Sequence, residues 1–347
     1  MNKLAIIGAG NAGCITALHF KKYAPTLEID LYHDSKNNPI ELVGQGTTIG
    51  VSELLSESLG ATWFANNLGA TIKTGILYQD FGTKQEKIFH DFYCLSRTAI
   101  HYTPKKLSDC VLSSGFFNIK EEAINDPEDI DADFVIDCRG KKHVDKSNLN
   151  TIVNPINSVL LGSLPKKEML WTESRATPNG WCFTLPIENK LSVGYLYNSK
   201  LTSKEEAMKD FKDRFGVEEI EHSIGFNNYC SFNPFSESGK VLKNGNSAAF
   251  IEPLEATATG LYHWIARIGF DRFIYKVDIS RCLQLLHKEV HEISNFVLWH
   301  YKTGSKFNSP FWDHVKTLPF SGVPKVEGDE LYGQWGKRSL EIWASNT

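Results

Sequence analysis

A glycine-spaced turn between a short apolar run and an amphipathic segment constrains this chain more than any other feature. Lys3 to Ile7 reads as a buried strand, Gly8-Ala9-Gly10-Asn11-Ala12-Gly13 as a tight turn, and Asn11 to Tyr23 as a helix with Ile15, Leu18 and Phe20 among its apolar positions. A second strand, Leu27 to Tyr32, closes at His33-Asp34. This is the G-x-G-x-x-G fingerprint in the strand–turn–helix context it requires. Glycines let the backbone approach a pyrophosphate, whose charge then meets the N–H groups at the start of the helix. The pattern predicts an α/β module that binds a dinucleotide. An acidic residue is expected after the second strand, holding the adenosine ribose, and His33, Asp34 and Ser35 are the candidates by position. Asp34 lies about 20 residues past Gly13, as that contact requires; its other reading is the start of a polar loop running to Pro39.

Further signals extend this frame. The cluster Gly44-Gln45-Gly46-Thr47-Thr48-Ile49-Gly50 follows the second strand too closely to begin another βαβ unit of about 30 residues, so it reads as a loop of the same site. Asp133 to Cys138 is another buried strand, ending at Arg139-Gly140, and ligands gather at such carboxyl ends in open α/β sheets. Trp181–Pro186 and Leu191–Tyr197 read as strands joined at Glu188-Asn189-Lys190. Ser203 to Phe215 is an amphipathic helix, with Ser203 as N-cap, Glu206 at the capping-box position and Gly216 as its stop. From Leu261 the pattern is helical to about Tyr301, and the last 40 residues read as irregular and aromatic-rich. With no internal repeat, low-complexity tract or obvious linker, the chain reads as one intertwined unit.

Composition narrows the function classes. The chain has 347 residues, 41% hydrophobic and 22% charged, enough to bury a sizeable core. A net charge of −4 gives no electrostatic reason to bind nucleic acid or an anionic membrane. No apolar run approaches the roughly 18 residues that span a bilayer, and the start lacks a signal peptide's pattern. Seven cysteines, none in a C-x-x-C pair, read as reduced thiols of a cytoplasmic protein rather than disulfides or a zinc site. His287 and His291 share a helical face, but a third ligand and the H-E-x-x-H order are missing, so no metal is expected. The segment Ala249 to Gly260 stands apart. Glu252 and Glu255 flank Pro253-Leu254 in apolar surroundings, where a carboxylate is costly unless paired or used. A small-residue stretch then leads into a helix, a place where an anion can rest. The other reading is a structured turn with Glu252 as a cap.

Taken in order, these motifs resemble the flavin-dependent halogenases of the tryptophan-halogenase type. Gly8 to Gly13 looks like that family's FAD fingerprint, and Val43-Gly44-Gln45-Gly46-Thr47 like its V-G-E-A/S-T loop, with Gln45 where Glu is usual. Gly69 to Ile76 resembles the A-T-F-K-x-G-I segment carrying the catalytic lysine, and Ala132 to Gly140 resembles A-D-L-F-I-D-C-S/T-G. Gly180-Trp181-Cys182-Phe183-Thr184-Leu185-Pro186 is similar to G-W-x-W-x-I-P, and Gly194 to Tyr197 to G-Y-V-Y. Gly245 to Thr257 is similar to G-N-A-A-x-F-I-E-P-L-E-A-T-G, with Ala258-Thr259 standing before Gly260 as two additional residues. Phe296 to Tyr301 and Asn308 to Trp312 resemble F-I-x-x-H-Y and D-S/T-P-F-W, with Asn308 in place of the acid.

The resemblance implies an α/β fold: a Rossmann-like FAD module of the flavin monooxygenase type, near 1–82 and 131–260. An added, mainly helical substrate-covering layer would occupy 83–130 and 261–347. It implies that FAD, supplied as FADH2 by a separate flavin reductase, reacts with O2 and a bound halide to give hypohalous acid. Lys73 would relay this oxidant to an electron-rich aromatic substrate, an indole or tryptophan-like ring. Glu255, buried close to Lys73, would stabilise the cationic ring and take its proton. FAD would be held by Gly8, Ala9, Gly10, Asn11, Ala12, Gly13, Asp34, Ser35, Gly44, Asp137, Asn246 and Leu261, and the halide by Thr257 and Ala258. Trp299, Tyr301, Phe311 and Trp312 would wall the substrate. A flavin-dependent aromatic hydroxylase and a catalytically inactive flavin-binding protein are the alternatives. Whether the chain forms a homodimer stays open.

Overall fold

Leu4 to Ile7 are consecutive apolar residues, and a strand without a polar face needs cover on both sides. In the computed structural model, which describes residues 3–36, 43–92, 98–323 and 336–345, this run is β1 (Lys3–Ile7) and the fingerprint opens α1 (Asn11–Tyr23). β2 (Glu28–His33) and α2 (Ile49–Leu59) follow. Next come β3 (Thr71–Lys73), β4 (Gly75–Gln79), β5 (Lys87–Asp91), β6 (Ala99–His101) and α3 (Pro104–Ser113). The chain continues through β7 (Asn118–Glu121), β8 (Phe134–Asp137), β9 (Leu149–Thr151) and β10 (Ser158–Pro165). β11 (Thr172–Thr177), β12 (Gly180–Ile187), β13 (Lys190–Tyr197) and α4 (Lys204–Phe215) lead to β14 (His222–Gly225). β15 (Tyr229–Ser231), β16 (Val241–Lys243) and β17 (Ala249–Phe250) precede α5 (Thr257–Ile274), α6 (Ile279–Lys302), α7 (Pro310–Thr317) and α8 (Lys337–Ala344).

These elements form two compact units, each drawn from three stretches of chain. The first comprises Met1–Ala70, Tyr102–Thr151 and Tyr229–His291. Its centre is a parallel sheet in the order β16-β8-β1-β2-β7. At its middle, Ile7 pairs with Tyr32 on one side and Asp137 on the other. The chain leaves β1 for β2 and later returns to place β8 on the opposite flank. The carboxyl end of β1 is therefore a topological switch point, where open α/β sheets bind ligands. α1 packs against α2, α3 and α5, which explains why it is buried continuously from Asn11 to Phe20 rather than along one stripe. A small antiparallel sheet, β17-β15-β9, completes this unit.

The second unit comprises Thr71–His101, Ile152–Asn228 and Glu292–Thr347. It holds a sheet in the order β14-β10-β13-β12-β11-β4-β5, antiparallel except between β11 and β4, and a separate β3–β6 ladder. α4 lays Ala207 and Phe211 on Leu160, Val193 and Tyr195, and burying a side chain such as Phe211 contributes about 1.5–3 kcal/mol. The helix starts as its sequence indicates. Ser203 Oγ accepts from the Glu206 N–H at 3.2 Å while the Glu206 carboxylate accepts from the Ser203 N–H at 2.9 Å.

Three features differ from the sequence reading. The helical stretch from Leu261 to Tyr301 starts earlier, at Thr257, and is two helices. They part after Ile274, where Lys276 takes a left-handed φ of +58°. The tail is not simply irregular: Ser309 Oγ caps α7 and Pro310 fills its first turn, where a missing N–H costs nothing, and α8 follows. Segment 83–130, expected within a mainly helical layer, carries β5, β6 and β7 as well as α3. None of the described helices is long and apolar enough to cross a membrane.

Candidate functional site

At the switch point the fingerprint is held by backbone-to-backbone approach. Gly8 has φ +101°, and a Cβ there would lie 2.8 Å from the Cys138 carbonyl oxygen. A Cβ on Gly13 would fall 1.7 Å from the Gly8 carbonyl oxygen. Gly13 thus lets α1 press directly onto the turn, and Gly8 lets the turn lie against the backbone leaving β8. Gly10 is the N-cap, no side chain caps the helix, and its first turn holds no acidic residue. Ala9 and Ala12 are buried beside it. The result is a helix start open to an anion, and it fits the pyrophosphate of FAD.

The surrounding loops are tied to this helix. Asn11 Nδ2 donates to the Gly44 carbonyl at 3.2 Å, and the Tyr102 hydroxyl donates to Asn11 Oδ1 at 2.7 Å. The Tyr102 N–H donates to the Gln45 carbonyl at 2.8 Å. Tyr102 is fully buried, and nothing in its local sequence marks it as a clamp. Past β2, Asp34 accepts from the Lys36 N–H at 3.0 Å, while the Ser35 hydroxyl donates to the Glu121 carboxylate at the end of β7. Asn37 to Pro39 lie outside the described residues. The Asp137 carboxylate is engaged by Arg139, Nε to Oδ1 and Nη2 to Oδ2, each at 2.9 Å. Asn246 accepts from Tyr262 at its side-chain oxygen, 2.7 Å, and from Tyr229 at its carbonyl, 2.6 Å. Asn244, another residue the sequence reading missed, donates to Thr16 Oγ1 at 2.9 Å and to the Tyr262 carbonyl at 3.0 Å. Leu261 is buried early in α5. The candidate flavin residues of the first unit therefore gather at the ends of β1, β2, β8 and β16 and the starts of α1 and α5.

The acidic loop enters α5 through two consecutive left-handed residues, Glu255 at φ +73° and Ala256 at φ +56°. Glu252 and Glu255 are both buried, at 0% and 3% exposure. Thr257, Ala258 and Thr259 form the first turn of α5, again with no side-chain cap and no acidic residue. The Thr257 hydroxyl donates to the Ile251 and Glu252 carbonyls. Its proton is thereby committed, and an anion at this turn would meet backbone N–H groups. The Thr259 hydroxyl donates to the Gly46 carbonyl at 2.9 Å, joining this turn to the glycine loop.

Lys73 belongs to the second unit. It is 1% exposed, with Nζ 5.4 Å from the centre of the Phe92 ring. On the same ladder His101 is fully buried, and burial, then the charge of Lys73, holds its imidazole well below the usual range. Trp299, Tyr301, Phe311 and Trp312 are all buried. Tyr301 lies 6.2 Å from both Phe311 and Trp312, and Trp312 Nε1 donates to the Thr177 carbonyl at 2.8 Å. Trp343 of α8, which the sequence reading missed, sits 4.6 Å from Tyr78 and 4.4 Å from His300 and reaches Trp299. His287 and His291 are exposed, and His287 Nε2 lies 3.3 Å from the Ser231 carbonyl. Among the described residues no group of three or more His, Cys, Asp or Glu could hold a metal ion. Cys94 lies outside the described residues.

Comparison with known proteins gives the family. The tryptophan halogenase profile matches residues 3–105 and 105–327. A tryptophan 7-halogenase of Kutzneria sp. (strain 744) is 26% identical over 226 residues, covering 56% of this chain and 40% of the relative. A tryptophan 7-halogenase of Lentzea aerocolonigenes is 22% identical over 212 residues, covering 54% and 39%. The chain thus spans about two fifths of the length of these curated relatives. In fold it is similar to a tryptophan 6-halogenase from Streptomyces toxytricini, with a TM-score of 0.81 at 18% identity over 100% of this chain and 90% of that one. With the profile matched along most of its length, the chain belongs to the tryptophan halogenase family of flavin-dependent halogenases.

Proposed function

We propose that the protein is a FAD-dependent halogenase that uses reduced flavin, O2 and halide to halogenate an electron-rich aromatic, an indole or tryptophan-like ring. The observation that carries this reading is the uncapped start of α1 at the switch point of a parallel sheet, in a chain of this family. When bound, reduced FAD with O2 supplies the two-electron oxidation that turns halide into hypohalous acid. The chain's own groups do the rest. The Gly8–Gly13 turn and the first-turn amides of α1 hold the pyrophosphate, Asp34 with Ser35 reaches the ribose, and Gly44, Asp137, Asn246 and Leu261 border the flavin. Backbone N–H groups at Thr257 and Ala258 receive the halide. Lys73 binds the hypohalous acid and delivers electrophilic halogen, as a lysine kept from water can. Glu255 stabilises the cationic ring and accepts its proton. Trp299, Tyr301, Phe311 and Trp312 supply flat apolar walls for the ring. A separate flavin reductase feeds the reaction.

Purified protein with FAD, a flavin reductase, NADH, bromide and a panel of indoles, read by mass spectrometry, tests the proposal. Brominated product is expected, lost in Lys73→Ala while FAD affinity stays within a few-fold. Oxygenated product instead would identify an aromatic hydroxylase. Bound FAD with no product from any ring would mark a flavin-binding protein without this chemistry.

A further inference from the structure

We propose that His101 is a positioning residue for Lys73, held as the neutral Nδ1–H tautomer by threonine hydroxyls on both sides. The proposal rests on the reading of Lys73 as the relay. β3 and β6 pair over three residues each, with Thr71 opposite His101 and Lys73 opposite Ala99. Because side chains alternate along a strand, these four residues share one face. A two-stranded ladder this short is marginal alone, so the strand carrying Lys73 needs support from elsewhere, and side chains provide it. The Thr71 hydroxyl donates to the Pro186 carbonyl of β12 at 2.8 Å. Its one proton being spent, it can only accept from His101 Nδ1, 3.4 Å away. Nδ1 therefore carries the hydrogen, Nε2 is the acceptor, and the Thr172 hydroxyl of β11 donates to it at 2.7 Å.

This relay fastens β3 and β6 to the large sheet of the same unit through one imidazole. It also fixes charge. Full burial, then the charge of Lys73, disfavours protonation of the ring. Glu173, next to Thr172, alternates to the opposite face of β11. Protonation of His101 would place a second positive charge beside Lys73, and acid does not readily put one there.

Nitrogen NMR of the full-length protein labelled in its histidines, with His101 assigned by its loss in His101→Gln, reads the tautomer directly. The expected signal is Nδ1–H, unchanged from pH 8 to about 5. An Nε2–H signal, or titration near the ordinary value of about 6.5, overturns the proposal. In turnover, His101→Leu is expected to lower halogenated product per O2 consumed by about tenfold or more, the scale of a small misplacement of a reacting group. FAD affinity and flavin oxidation should hold within about twofold. His101→Gln, neutral and able both to donate and accept, is expected to recover most of the coupling. Unchanged coupling in His101→Leu overturns the proposal. The NMR result does not depend on turnover, so it is distinct from a failure of the lysine reading, which Lys73→Ala reports.

Discussion

Glu255 and Ala256 lie side by side in left-handed backbone, which costs an L-residue roughly 1–2 kcal/mol each. Two of the four left-handed non-glycine residues among those described thus stand together immediately before the first turn of α5. Ala256→Gly should relieve the strain at one position and, after glycine's entropic penalty of roughly 0.5–1 kcal/mol, stabilise the fold slightly. Calorimetry should show a higher Tm; a lower one would mean that the Ala256 methyl packs more favourably than its backbone is strained. Glu255→Gln keeps shape and reach but removes the charge proposed to stabilise a cationic ring. Its expected cost is on the order of 100-fold in kcat with little change in substrate binding, because the neutral ring lacks the developing charge. Equal losses in both would identify a substrate-amine ligand. The sequence marked Glu255 because a carboxylate in apolar surroundings needs a reason. It did not show the left-handed pair, since Glu and Ala carry no local preference for that conformation, nor Tyr102, whose role arises only when its backbone is laid beside Gln45.

Between α1 and α5, His19 Nδ1 lies 3.2 Å from His263 Nε2. Burial, then the neighbouring His263, Arg267 and Lys22, pushes His19 down to about 3; burial, then Arg267 and Lys22, pushes His263 down to about 4. Both rings are neutral in the fold when the unfolded chain already binds protons. The stability they allow is thus complete above about 6.5 and is lost as pH falls toward their folded values, at about 1.4 kcal/mol per pH unit for each histidine. Denaturant unfolding between pH 6.5 and 4.5 should show this slope, reduced in His263→Gln. An unchanged slope in the His19→Gln/His263→Gln double variant would assign the acid loss to other groups. At this scale the sequence was legible wherever the signals were local. α1 has the ends read from its glycines and apolar period, and α4 starts at the Ser203–Glu206 box. The division of α5 from α6 was not legible, because Tyr275-Lys276 carries neither glycine nor proline and breaks the helix through backbone conformation alone.

At the scale of the whole molecule, among the described residues one parallel sheet carries one fingerprint, and the other large sheet is antiparallel at all but one of its pairings. The expected consequence is a protein that holds FAD without a nicotinamide site. Stopped-flow mixing of the FAD-loaded protein with NADH should leave the flavin oxidised until a reductase is added, and rapid bleaching without one would point to a self-sufficient monooxygenase. The family was readable because its motifs recur in order. The two-unit division was not, since each unit is assembled from segments far apart in sequence and no composition shift marks the crossings. That interleaving also sets a timetable for synthesis on the ribosome. β8 can pair with β1 once both have been made, but its other edge must wait for β16, which pairs Val241 with Val135. The gap is about 100 residues, roughly 5–20 s at the usual elongation rate of about 5–20 residues per second. Throughout it the nascent sheet presents Phe134 to Ile136 as a bare apolar edge, the kind that recruits other chains. Lower growth temperatures or a holding chaperone would therefore act on yield during this interval.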